Sequence, residues 1–169
     1  MKNIPLLILL FCSLLLIAAC DPGPKVVEIV GKTAPDFSLV DRQGKTWTLS
    51  ELKGQVVVLY FWSSWCPPCR EDLPAMQRLY SRLPKDNCKM LAILNRDKPE
   101  VAYAFAEKLG ITVPILYDRN NDVCEKYGVV GLPVTYIVDK KGVLREKILL
   151  SARRDGPENL QMLMEYINQ

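Results

Sequence analysis

Val56-Val57-Val58-Leu59-Tyr60-Phe61-Trp62 runs directly into Ser63-Ser64-Trp65-Cys66-Pro67-Pro68-Cys69. The first seven residues form a continuous apolar run rich in Val and aromatic side chains, which suits a strand buried on both faces. The spacing then changes. Leu73, Met76, Leu79, Tyr80 and Leu83 recur with a helical period, which predicts a helix over Pro67–Leu83. Pro74 lies within it and removes a backbone donor, so a kink is expected there. Two cysteines therefore fall where a buried strand hands over to a helix.

That position gives the pair a chemistry. Unpaired N–H groups and the dipole at a helix N-terminus favour negative charge. A thiolate on Cys66 is stabilised there and its pKa falls, which makes Cys66 the exposed nucleophile. Cys69, one turn on and less exposed, can attack a mixed disulfide on Cys66 and release the reduced partner. Pro67 and Pro68 stiffen the loop between them. Half a zinc site is the first competing reading, but Cys88 and Cys124 form no second pair of this spacing and the chain has no histidine. Copper carriage is disfavoured by the same spacing and the same missing histidine. A purely structural Cys66–Cys69 disulfide is the remaining alternative; so small a ring at a helix start is labile rather than structural.

Working outward, Asp36–Val40 and Lys45–Leu49 read as short extended pieces around Asp41-Arg42-Gln43-Gly44, a hairpin, with Ser50 capping a short turn that ends at Gly54. Lys89–Leu94 is the next strand. Asp97-Lys98-Pro99-Glu100 has the form of a capping box opening a helix that stops at Gly110. Val113–Tyr117 is a strand, Asp122–Tyr127 a short helix, and Val134–Val138 and Val143–Leu149 are strands around Asp139-Lys140-Lys141-Gly142. Asp155-Gly156-Pro157-Glu158 opens a last helix reaching about Ile167. Strands alternating with helices imply an α/β domain with a partly parallel sheet, and the closing hairpin makes that sheet mixed.

The chain has 169 residues, the size of one ordinary domain. Its net charge of +3, or +2 without Lys2, and the lack of a basic stripe argue against a nucleic-acid partner. With no histidine among 169 residues, most metal chemistry and any Cys-His nucleophile pair are excluded. Hydrophobic residues make up 49% of the chain, and the excess lies at its start. Lys2 followed by the apolar run Leu6–Ile17 and small residues reads as a secretory signal, too short to span a membrane as a helix. Leu16-Ile17-Ala18-Ala19-Cys20 resembles a bacterial lipobox, which would remove residues 1–19 with Cys12 and place a lipid on Cys20; an ordinary signal peptide or an uncleaved anchor are the alternatives. Asp21 in the next position resembles an inner-membrane retention signal of enteric-type bacteria. Residues 20–30, punctuated by Pro and Gly, would tether the lipid to a domain spanning 31–169.

Trp65-Cys66-Pro67-Pro68-Cys69 after a Val-rich strand, with Gly131-Leu132-Pro133 further on, resembles the thioredoxin superfamily. Ala34-Pro35-Asp36-Phe37-Ser38-Leu39, Leu52-Lys53-Gly54, Phe61-Trp62, Glu71-Asp72-Leu73-Pro74, Tyr127-Gly128-Val129 and Ile137-Val138-Asp139 narrow the resemblance to its TlpA/ResA branch, related to CcmG/DsbE, over residues 31–150. The resemblance implies a three-layer fold: a central mixed sheet flanked by helices, with an N-terminal β-hairpin. It implies a membrane-anchored thiol-disulfide oxidoreductase facing the periplasm or cell exterior. Its clients would be disulfide-containing proteins, commonly apocytochrome c. Its reductant would be a membrane thiol carrier of the DsbD/CcdA type, and no dissociable cofactor or metal is implied. Pro133 matches the family's cis-proline, beside which Leu132 and the neighbouring backbone would meet substrate, and Trp65 would supply apolar contact surface while Trp62 belongs to the core.

The departures from the family's pattern concern protons. Thioredoxin proper has a buried acid where this chain has Tyr60. The TlpA/ResA branch has a Glu three residues after the second cysteine, where this chain has Asp72, with Glu71 beside it. Asp72 or Glu71 is thus the proton-transfer candidate, against the reading of two solvated charges in a first helical turn. Cys88 and Cys124 could form a structural disulfide or remain two buried thiols. Three other functions compete. A DsbA-type oxidase is disfavoured by Pro68 where such proteins often carry His. A peroxiredoxin-like peroxidase has Thr at the position of Ser63 and no counterpart of Cys69. The third is a lipoprotein binding module with an incidental dithiol.

Overall fold

The computed structural model describes residues 29–149 and 155–169. The expected signal segment, Cys12, Cys20 and the tether up to residue 28 lie outside the described residues. Ile29 already packs in the core, and Gly31 N–H donates to the Leu144 carbonyl at 2.7 Å, so the domain begins slightly before residue 31.

The elements run β1 (Ser38–Val40), β2 (Thr46–Thr48), a 3-10 turn (Leu49–Leu52), β3 (Val56–Trp62), α1 (Pro67–Arg82), β4 (Cys88–Asn95), α2 (Pro99–Lys108), β5 (Ile115–Asp118), α3 (Asp122–Lys126), β6 (Val134–Val138), β7 (Leu144–Leu149) and α4 (Pro157–Asn168). β1 and β2 pair antiparallel as a separate hairpin. The main sheet has the order β5-β4-β3-β6-β7, with β3, β4 and β5 mutually parallel and β6 and β7 antiparallel to their neighbours. This is the mixed, helix-flanked sheet with an N-terminal hairpin that the sequence implies.

β3 is central, and all seven of its side chains are buried. Because side chains alternate along a strand, it feeds two cores. Val56, Val58, Tyr60 and Trp62 pack with α1, α2 and α4 through Leu73, Met76, Ala102 and Leu163. Val57, Leu59 and Phe61 pack on the other face with Phe37, Leu49, Tyr127 and Tyr136. In that second core Phe61 and Tyr136 meet edge to face at 5.7 Å, and the Tyr136 hydroxyl donates to the Tyr127 carbonyl at 2.6 Å. Such geometry satisfies the phenol while keeping its ring apolar.

The two hairpins share one device. Asp41 Oδ1 accepts from the N–H groups of Gln43 and Lys45, and Asp139 Oδ1 from those of Lys141 and Val143, all at 2.9 Å. Gly44 and Gly142 follow at φ of 83° and 81°, the left-handed region that a side chain disfavours.

Some local expectations are corrected. The strand expected from Val113 begins at Ile115, because the N–H groups of Thr112 and Val113 donate to Gln77 Oε1 of α1. Ser50 does not cap the turn; its N–H instead donates to Asp36 at 2.9 Å. The acids at positions 97 and 155 cap no helix by side chain: α2 and α4 have Lys98 and Gly156 at their N-caps without a side-chain bond. Asp155 is held by Arg78 at 2.6 Å. A Cys88–Cys124 disulfide is ruled out by topology. Both thiols are free and buried, and they belong to the two cores on opposite faces of the sheet.

Candidate active site

The site lies where β3 ends and α1 begins. Cys66 is the N-cap of α1, with Pro67 and Pro68 in the first two helical positions. Proline is suited there, since its missing N–H would have no partner in the helix. The first N–H in the turn is therefore that of Cys69, and it donates to Cys66 Sγ at 3.3 Å. Arg70 N–H donates to the Cys66 carbonyl at 3.1 Å and closes the turn. Cys66 and Cys69 are joined as a disulfide with Cα atoms 5.3 Å apart.

Cys66 was expected to be exposed, and it is not: 4% of it is accessible, against 0% of Cys69. Both sulfurs belong to the core on the α1 face of the sheet, and Leu132 packs against that same core. The Tyr60 hydroxyl, in the place where thioredoxin has an acid, reaches the Cys69 carbonyl at 3.4 Å. Trp65 is 59% exposed beside the dithiol, while Trp62 is fully buried, as the sequence reading assigned them. The Leu132–Pro133 peptide bond is cis. Pairing of Val134 with Phe61 sets Pro133 at the end of β3 that carries the dithiol.

Glu71 and Asp72 part company. Glu71 is exposed, whereas Asp72 is buried on the inner side of α1, one turn beyond Cys69. The picture of two solvated charges therefore fails for Asp72.

Residues 95–97 hold the loop ahead of Cys66, a role that the sequence did not suggest for them. The Ser63 hydroxyl donates to the Asn95 carbonyl, Ser64 N–H donates to the Asp97 carboxylate, and Trp65 Nε1 donates to the Arg96 carbonyl at 2.9 Å. Arg96 takes a φ of 45° between them, an unusual backbone for a residue with a side chain. The signal was present in the topology. β3 and β4 are parallel neighbours, Trp62 opposite Leu94, so the residues following each strand emerge together.

The other two cysteines are held as neutral thiols. Burial pushes the Cys88 thiol up to about 12, although Lys85 and Lys89 partly oppose it. Burial likewise raises Cys124 to about 12; a hydrogen bond from Asn95 works against the rise and Asp118 adds to it. Among the described residues, no group of three or more Cys, Asp or Glu side chains is placed to hold a metal ion.

A vicinal dithiol at a helix N-terminus, beside a cis-proline on a mixed sheet, defines a thioredoxin-like thiol-disulfide oxidoreductase. Residues 30–147 match the AhpC/TSA family model. The chain is 38% identical over 149 residues to the thiol-disulfide oxidoreductase ResA of Geobacillus thermodenitrificans, covering 88% of this chain and 85% of that protein. Among solved structures, one provisionally described as a protein disulfide isomerase from Bacteroides thetaiotaomicron superposes with a TM-score of 0.75 at 27% identity, covering 83% and 91% of the two chains. The exposed lipoprotein thioredoxin Etrx1 of Streptococcus pneumoniae superposes with a TM-score of 0.67 at 29% identity, covering 78% and 99%. The chain belongs to the AhpC/TSA family and, within it, to the ResA-like thiol-disulfide oxidoreductases.

Proposed function

We propose that this oxidoreductase reduces disulfides of extracytoplasmic proteins, with Cys66 as nucleophile and Cys69 as resolving thiol. The observation that carries the reading is the Cys69 N–H aimed at Cys66 Sγ from the first turn of α1, a donor ready to stabilise a thiolate once the pair is reduced. In the forward direction the Cys66 thiolate attacks one sulfur of the partner's disulfide, and the other sulfur leaves as a thiolate. Cys69, deprotonated, then attacks Cys66 Sγ; the Cys66–Cys69 disulfide forms and the partner departs with both of its thiols reduced. Asp72, buried one turn beyond Cys69, is the group proposed to take up and return the Cys69 proton; Asp72→Asn should then shift the pH profile of thiol alkylation. Trp65, Leu132 and the cis bond at Pro133 border the place where the partner's backbone would lie.

Lipidation of Cys20 would keep the domain on the outer face of the membrane, with the inner membrane favoured by Asp21; labelling with a palmitate analogue, lost in Cys20→Ala, tests it. Re-reduction by a membrane thiol carrier of the DsbD/CcdA type and service to apocytochrome c complete the reading. Affinity capture with Cys69→Ser tests the client: a covalent complex that dissolves in reductant supports it, and its absence alongside an intact fold removes it.

The AhpC/TSA match favours a second reading, a peroxidase. The buried Ser63 hydroxyl bears on it. It donates to the Asn95 carbonyl and is thereby committed away from Cys66, which leaves peroxide without the hydroxyl that this position would offer. Turnover of hydrogen peroxide at a rate matching disulfide exchange would reinstate that reading.

A further inference from the structure

One described side of the dithiol carries an excess of positive charge. In the cis-proline loop the exposed residues are Val130, 71% accessible, and Gly131. On the α2 side a groove starts at Ser64 and Trp65 and continues between α1 and α2 past Val101 to Phe105. Four cations line it: Arg70, Arg96, Lys98 and Lys108. Arg70 lies over the Phe105 ring at 4.6 Å, which fixes its guanidinium on the groove wall rather than in bulk solvent.

Two carboxylates share the groove, and they leave the four cations in excess by two. Asp97 is turned toward the Ser64 and Lys98 N–H groups. Glu100 is exposed on α2. Glu107, further along α2, is paired with Arg42 at 3.0 Å and does not line the groove. Glu71 is exposed on α1 but is likewise absent from the groove wall.

We propose that this groove is a specificity surface for the partner's chain: it receives an extended segment bearing acidic residues on one side of the disulfide to be reduced. The inference rests on the protein-disulfide reading above. Its grounds are charge complementarity and continuity, because Ser64 and Trp65 belong both to the groove and to the loop that ends at Cys66. Trp65 and Val101, 59% and 53% exposed, supply apolar contact between the charges. Like charge in that segment would be repelled during encounter.

The test uses three peptides of the same length with one disulfide each, flanked on one side by Asp and Glu, by Lys, or by Ser. The rate of exchange with the reduced protein is measured for each at low and at high salt. The acidic peptide should react about tenfold or more faster than the basic one at low ionic strength, and the ratio should collapse at high salt. In the double variant Lys98→Glu/Lys108→Glu the ratio should invert. Equal rates for the three peptides with the wild-type protein overturn the groove while leaving the oxidoreductase reading intact. Failure to reduce even the Ser-flanked peptide strikes the oxidoreductase reading instead. A ratio that survives both high salt and charge reversal also overturns the groove.

Discussion

Cys66 and Cys69 lie three residues apart and form one disulfide, while Cys88 and Cys124 lie in two cores with the sheet between them. All four are nearly inaccessible, so burial alone does not distinguish the pairs. What differs is the polar group each sulfur meets. Cys66 has an N–H of a helix first turn pointing at it, whereas the Cys88 sulfur has only a 3.9 Å approach to the Lys89 carbonyl, an acceptor. An acceptor favours the neutral thiol and a donor favours the thiolate. The lesson is that depth by itself holds a thiol neutral, as at Cys88 and Cys124, and that Cys66 differs in having a first-turn N–H aimed at its sulfur.

The largest effect is expected from breaking the reactive pair. Cys66→Ser should lower the rate of exchange with a model protein disulfide by about a thousandfold or more, the equivalent of roughly 4 kcal/mol on the barrier. Cys69→Ser should instead retain the first step and accumulate mixed disulfides, seen as adducts in mass spectrometry. Equal behaviour of the two variants would erase the distinction between nucleophile and resolving thiol.

A second experiment compares the pairs directly. In the reduced native protein at about pH 8, iodoacetamide should label Cys66 more than about a hundredfold faster than Cys88 or Cys124, because thiols raised to about 12 hold almost no thiolate there. Peptide mapping after timed quenching reads the order. Comparable labelling of Cys124 would mean that its core opens readily.

The bonded pair was legible in the sequence and the separation of the other two cysteines was not, for one reason. A Cys-x-x-Cys spacing at a strand-helix junction is local, so its geometry follows from the helix that contains it. The relation of Cys88 to Cys124 depends on register: Cys88 pairs with Val56 and so shares its face, while α3 carries Cys124 over the other. A shift of one residue in that register would exchange faces, and no local pattern reveals it. The same limit explains the acids. Asp97 and Asp155 each precede a helix and look like caps, yet their carboxylates bind Ser64 N–H and Arg78. Each has a partner distant in sequence that no local pattern reveals, although Asp97 keeps the neighbouring Lys98 N–H as well. The buried strands and the short hairpins, governed by composition and turn residues, were readable throughout.

The inert pair can be separated within itself. Cys88→Ser places a hydroxyl where only the distant Lys89 carbonyl is near, and should cost about 1–3 kcal/mol in denaturant unfolding. Cys124→Ser should cost less, because Asn95 and Asp118 already approach that side chain. Neither should alter exchange kinetics. The raised thiols also give a pH signature. Each is an acid whose folded value exceeds its unfolded one, so its contribution is complete below about pH 9 and is lost as pH climbs from 9.0 toward about 12. Stability should therefore fall in that window by at most about 1.4 kcal/mol per pH unit for each thiol, and Cys88→Ala should reduce the slope. A slope unchanged in Cys88→Ala would show that this thiol ionises alike in both states.

The smallest expected effect tests whether the reactive pair depends on its neighbours. Asp97 touches neither sulfur; it holds the Ser64 N–H, two residues before Cys66, and the Lys98 N–H at the start of α2. Asp97→Asn keeps an acceptor but removes its charge, and a hydrogen bond to a charged group is stronger than its neutral counterpart by about 1 kcal/mol. The loop should loosen rather than collapse, since the Ser63 and Trp65 bonds to residues 95 and 96 remain. Exchange with a neutral model disulfide should slow about three- to tenfold, in kcat more than in KM, while the unfolding midpoint moves little. Asp97→Glu should not restore the rate, because the longer side chain displaces the same carboxylate from Ser64. A variant that loses stability but exchanges at the wild-type rate would make Asp97 a brace for α2 alone, and the reactivity of Cys66 would then belong entirely to its own helix turn.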